Sequence, residues 1–121
     1  MNLTALGKQI SEFEQFDVFP APDSCDRVIM RCDEITALCP VTSQPDFYEV
    51  VIDYEPNTLC LESKTLKLYL ASFRDKGIFA EALASTIRND VSAALRPKHI
   101  FVSVIQKARG GISIEAQSND L

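Results

Sequence analysis

Residues 47–55 alternate so strictly that they leave little choice of local structure. Tyr48, Val50, Ile52 and Tyr54 fall on one side, and Glu49, Val51 and Asp53 on the other. A period of two describes a strand with one face buried. Residues 26–36 repeat the pattern, with Val28, Met30 and Cys32 opposed to Arg31 and Asp33. A loop over residues 37–46, bounded by Pro40 and Pro45, joins the two. A second strand pair is expected at residues 98–108 and 112–117, where Ile100, Val102 and Val104 alternate with Ser103 and Lys107 and Gly110-Gly111 supplies the turn. Between the pairs the period changes. Leu66, Tyr69, Leu70 and Phe73 recur at helical spacing over residues 63–74, with Ser63 as the expected cap. Gly77 interrupts, and Phe79, Leu83, Ile87, Val91 and Leu95 form the stripe of a second helix ended by Pro97.

The order is therefore ββααββ, an α+β chain with both helices on one face of an antiparallel sheet. The other face is polar, carrying Arg31, Asp33, Glu49, Asp53, Ser103, Lys107, Ser113 and Glu115. An open four-stranded sheet has two unpaired edges, which proteins pair or block. Copies joined edge to edge would close a barrel with a wet lumen and helices outside, so a homo-oligomer is expected. Residues 26–121 form the predicted domain. Residues 1–25, with an amphipathic piece at 3–16 and the loop signal Phe19-Pro20-Ala21-Pro22-Asp23, read as an arm.

The chain's 121 residues suffice for one domain, and its 12 basic against 17 acidic residues give a net charge of −5. Such a surface does not favour nucleic acid. Lys64, Lys67, Arg74 and Lys76 cluster against that background and mark a local anion site. Two lysines early in a helix oppose its dipole, and an anionic ligand would account for them. Neither a membrane span nor a secretory leader is visible, so the expected compartment is the cytosol. The four cysteines form no Cys-x-x-Cys pair and His99 is the only histidine, so no metal is expected.

Cys39 and Asp46 are the candidate catalytic residues. A cysteine in a proline-bounded loop, with Thr42, Ser43 and Gln44 between it and an aspartate, has the access and hydrogen-bonding company of a nucleophile. It suits a soft electrophile such as a nitrile carbon. Cys25, Cys32 and Cys60 read as small buried hydrophobes, and His99 as an exposed residue at a strand start. Glu81, early in the second helix, fits the dipole there and could also accept two hydrogen bonds from the edge of a guanine-like base. Glu62 has the same double reading. Arg109, beside Gly110-Gly111, is a candidate phosphate contact.

These residues together resemble a known family. Leu38-Cys39-Pro40, Gln44-Pro45-Asp46-Phe47, Glu62-Ser63-Lys64-Thr65-Leu66-Lys67-Leu68-Tyr69, Ser72-Phe73-Arg74, Phe79-x-Glu81 and Arg109-Gly110-Gly111-Ile112 are similar to the NADPH-dependent 7-cyano-7-deazaguanine reductases of queuosine biosynthesis, in their short single-domain form. The likeness spans about residues 26–117. It implies the tunnelling fold shared with GTP cyclohydrolase I, with active sites between subunits. It implies that Cys39 adds to the nitrile to give a thioimidate, that Asp46 donates a proton, and that two NADPH carry the adduct to the primary amine. Leu61, Glu62, Ser63, Ala80 and Glu81 would meet the substrate; Lys64, Lys67, Arg109 and Gly110 would meet the cofactor. No Gly-x-Gly-x-x-Gly turn is present, so the cofactor would not be held in the Rossmann manner. One departure stands out: Ala80 occupies a position that is commonly histidine in that family. It leaves open an amidine-forming relative that adds ammonia to the same nitrile, although such relatives are expected to lack Glu-Ser-Lys-x-x-Lys. A non-catalytic module holding a deazaguanine- or pterin-like ligand at Glu81 is the alternative outside enzymology.

Overall fold

The computed structural model describes residues 12–120. Four antiparallel strands, β2 (Val28–Leu38), β3 (Pro45–Glu55), β5 (His99–Arg109) and β6 (Ile112–Asn119), form a sheet in the order β2-β3-β5-β6. Helices α1 (Ser63–Ala71) and α2 (Ala80–Leu95) cover one face, and the architecture is α+β as the alternation predicted.

The alternation on β3 translates directly into the core. Tyr48, Val50, Ile52 and Tyr54 are buried, facing Ile100, Val102 and Val104 of β5 and the stripe Leu83, Ile87, Val91 and Leu95 of α2. Burying a side chain of this size is worth roughly 1.5–3 kcal/mol, so this layer fixes which face of the sheet the helices take. Leu66, Tyr69, Leu70 and Phe73 are buried as their spacing required. Phe79 departs from expectation. It lies outside α2 as the residue before its first turn, and 52% of its surface is exposed. Ser103 departs in the other direction: on the polar face it is buried, with its hydroxyl donating to Glu115 on the neighbouring strand at 2.9 Å.

The amino-terminal segment contributes more than an arm was expected to. Strand β1 (Val18–Pro20) pairs antiparallel with β4 (Leu59–Leu61) in a small second sheet just before α1. Of the amphipathic piece expected at 3–16, residues 1–11 lie outside the described residues, and residues 12–16 run without helix or strand. Phe13 meets Tyr69 edge-on and Phe16 meets it tilted, at centroid distances of 5.1 and 4.7 Å. The predicted first helix ends early, at Ala71, and residues Ser72–Asp75 tighten into a 3-10 turn that packs on β2. Among the described residues, no helix is long and apolar enough to cross a membrane.

Candidate active site

Cys39 is placed by a loop that closes on itself. Its backbone N–H donates to Gln44 O at 2.8 Å and its carbonyl accepts from Ser43 N at 2.8 Å, while Ser43 takes a φ of 61°. Residues 39–44 thus form a tight connection between β2 and β3, shorter than the ten-residue loop expected from the prolines. The closure aims donors at the sulfur. The Thr42 hydroxyl, then the backbone N–H groups of Thr42 and Val41, hold the Cys39 thiol below the ordinary thiol range, against burial and the charge of Asp46. Donors that favour the charged form produce a nucleophile.

Asp46 starts the opposite side of the loop, on β3 directly across from Ala37. It is one of two buried polar side chains among the described residues. Its Oδ1 accepts from Arg109 Nη1 at 2.6 Å, and the same guanidinium donates to Pro45 O at 2.9 Å and Gln44 Oε1 at 2.8 Å. Arg109 reaches this place because β5 slips register between Gln106 and Arg109, just before the Gly110-Gly111 turn with its positive φ values of 61° and 83°. A bulge of this kind re-aims a side chain.

Glu81 is brought to the same end of the molecule by a third tie. Leu38 N–H donates to Lys76 O at 2.9 Å and Ile78 N–H donates to Leu38 O at 3.0 Å, a parallel rung between Leu38 and Gly77 that anchors the start of α2 beside Cys39. Gly77 lies close enough there that an added Cβ would sit 3.5 Å from Pro40 Cα. Glu81 is exposed in the first turn of α2, where the helix dipole favours it. Ala80 beside it is buried in the core and offers no side-chain polar atom.

Tyr48 is in the core as the alternation predicted, and its hydroxyl is also within the electrostatic reach of the candidate site. Its phenol is fully buried, donates to Gln106 Oε1 at 3.3 Å, and is pushed up to about 12 first by burial, then by the charges of Asp46, Cys39 and Glu81. The charges of the three candidate groups therefore all act on one hydroxyl. A tyrosine at an inward strand position two residues after a candidate acid was the available signal, since a buried hydroxyl needs a partner.

The motif at α1 is arranged differently. Glu62, not Ser63, caps the helix: its carboxylate accepts from Lys64 N at 2.8 Å and Thr65 N at 2.9 Å, and these bonds hold it below the usual carboxylate range. Ser63 is already the first helical residue and is exposed. Lys64 and Lys67 are exposed on the first turns, about 10 and 6 Å along α1 from the end that leads into the β2-packed 3-10 turn. Leu61 is buried and donates its N–H to the Tyr54 hydroxyl at 2.9 Å. Within one chain, then, Cys39, Asp46, Arg109 and Glu81 gather at one end, and the Glu62–Lys67 face starts elsewhere. His99 is exposed at the start of β5, paired with Asp120 at 3.5 Å. Cys60 is buried as expected, whereas Cys25 and Cys32 are half-buried.

A family model described as "QueF-like protein" matches residues 45–120. The chain is 44% identical over 119 residues, 98% of its length and 95% of the relative's, to the NADPH-dependent 7-cyano-7-deazaguanine reductase of Frankia casuarinae. It is 43% identical to the enzyme of that name from Syntrophus aciditrophicus, covering 96% of this chain and 84% of the other. Among solved structures, an archaeosine synthase QueF-Like in the apo form superimposes with a TM-score of 0.75 at 26% identity, over 80% of this chain and 95% of that one. With a thiol and a carboxylate set at one loop, and with these likenesses over nearly its whole length, the chain belongs to the QueF-like family.

Proposed function

We propose that this protein is an NADPH-dependent 7-cyano-7-deazaguanine reductase, converting the nitrile to the aminomethyl product in queuosine biosynthesis in the cytosol. The observation that carries the reading is the Cys39 loop, in which donors from Thr42 and Val41 stabilise a thiolate beside the carboxylate of Asp46. The relatives named as such reductases support it. The Cys39 sulfur adds to the nitrile carbon, a C–S bond replaces one C–N π bond, and the proton given up by the thiol passes through Asp46 to the nitrogen, giving a thioimidate. Glu81 takes the amino-pyrimidinone edge of the base. NADPH, when bound, would supply the two hydrides that, with two protons, take the nitrile to the amine and free Cys39. The exposed ammonium groups of Lys64 and Lys67, one turn apart, suit the cofactor's phosphates.

The site is completed between subunits. Val41, Phe47, Phe79 and Ile112 are large apolar residues left exposed around the Cys39 end, and they supply a surface for a second copy. Such a copy would bring the Leu61–Lys67 face to Cys39, and closure of the sheet edges around an axis would give the tunnelling barrel. Residues 26–121 carry the reaction, and the segment before them braces the start of α1 through the β1–β4 pair.

The test follows nicotinamide absorbance and intact protein mass together in one sample with 7-cyano-7-deazaguanine. Two NADPH oxidised per nitrile, abolished by Cys39→Ala, supports the reductase and makes Ala80 a tolerated variation. A Cys39 adduct without NADPH oxidation overturns it and favours amidine formation, tested next by adding ammonia. Binding with neither adduct nor turnover favours the non-catalytic module.

A further inference from the structure

The guanidinium of Arg109 spends its hydrogen bonds on the Cys39 loop. Nη1 donates to Pro45 O and Asp46 Oδ1, and Nη2 donates to Gln44 Oε1, so three consecutive residues are held by one side chain. Gln44 is the residue whose carbonyl accepts the Cys39 N–H. Asp46 is the buried carboxylate beside the thiol. A planar fork that engages a carboxylate, a carbonyl and an amide oxygen at 2.6–2.9 Å fixes orientation as well as charge.

We infer that Arg109 is a positioning residue for the Cys39–Asp46 pair: from the β5–β6 turn it clamps residues 44–46, sets the Asp46 carboxylate toward the thiol, and balances its charge. This rests on the proposed reductase reading and adds to it a role in the nitrile-addition step. Three of the five guanidinium N–H donors are committed to the loop in this way.

The charged and titratable groups around Cys39 fix the direction of the pH effect. Asp46 and Tyr48 face it from β3, Arg109 reaches over from the end of β5, and Glu81 acts on Tyr48 from α2. The Asp46 charge opposes formation of the thiolate. Removing the guanidinium leaves that charge unbalanced, so thiolate formation moves to higher pH.

The experiment compares wild type, Arg109→Gln and Arg109→Lys. Each is mixed with 7-cyano-7-deazaguanine without NADPH and the Cys39 adduct is followed by intact mass. Iodoacetamide alkylation of Cys39 is measured against pH, and KM for NADPH is determined. Arg109→Gln is expected to form the adduct roughly tenfold to a hundredfold more slowly. Its alkylation midpoint should move to higher pH while KM for NADPH stays within about twofold, and Arg109→Lys should recover part of the rate. Wild-type adduct kinetics and alkylation profile in Arg109→Gln, with KM for NADPH raised tenfold or more, would overturn the inference and make Arg109 a phosphate contact. If wild type itself forms no adduct, the reductase reading fails. The alkylation profiles then still decide whether Arg109 governs Cys39, and an unshifted midpoint overturns the clamp.

Discussion

A thiol in water is a poor nucleophile at neutral pH because little of it is ionised, and Cys39 meets this with donors from its own loop. The hydroxyl and N–H of Thr42 and the N–H of Val41 favour the thiolate; burial and Asp46 oppose it, and the donors prevail. The sign for reactivity follows: a depressed thiol pKa keeps the thiolate present to lower pH, and alkylation slows only as pH falls through that depressed value. Thr42→Val removes the first of the donors, and its alkylation midpoint is expected to rise toward the ordinary value of about 8.5. A midpoint equal to wild type would show that the hydroxyl contributes nothing to the sulfur. Much of this was legible in the sequence, since Cys39, Thr42 and Asp46 sit within eight positions and their chemistry is local. Arg109 was legible as a cation beside two glycines, but its partners lie 63–65 residues away and depend on a register slip that no single-residue pattern announces.

At the scale of elements, α1 begins on a carboxylate. Glu62 satisfies two of the backbone donors that a helix start leaves unpaired. Its folded-state pKa is depressed, so its contribution to stability is present above the unfolded value of about 4.3 and is lost as pH falls through the folded value. Glu62→Ala should therefore lower Tm at pH 7, and the gap to wild type should close in acid. A gap that persists below pH 3 would mean the carboxylate is not the source. Sequence reading put the cap one residue late, at Ser63, because serine is the commoner cap; only the helix register tells the two apart. The same limit explains Phe79, whose spacing fits the α2 stripe but whose backbone is extended. β3 shows the opposite case. Its alternation named the buried set correctly because a slip of one residue would have exposed all four large side chains.

At the scale of the whole molecule, the described residues leave β2 and β6 as the edges of the main sheet and an apolar rim of Val41, Phe47, Phe79 and Ile112 at the Cys39 end. Light scattering after size exclusion is expected to give a multiple of 13.5 kDa. An active species at that mass itself would refute the shared site. Edges and a polar sheet face could be inferred from alternation, whereas the small β1–β4 sheet could not, because three-residue strands leave no periodicity to read. The rung between Leu38 and Gly77 carries a mechanical consequence. It ties the backbone just before Cys39 to the residues that lead into α2. On the proposed reading, the spacing from the Cys39 sulfur to Glu81 is then set by the main chain, and a base of different length would meet one of the two groups and miss the other.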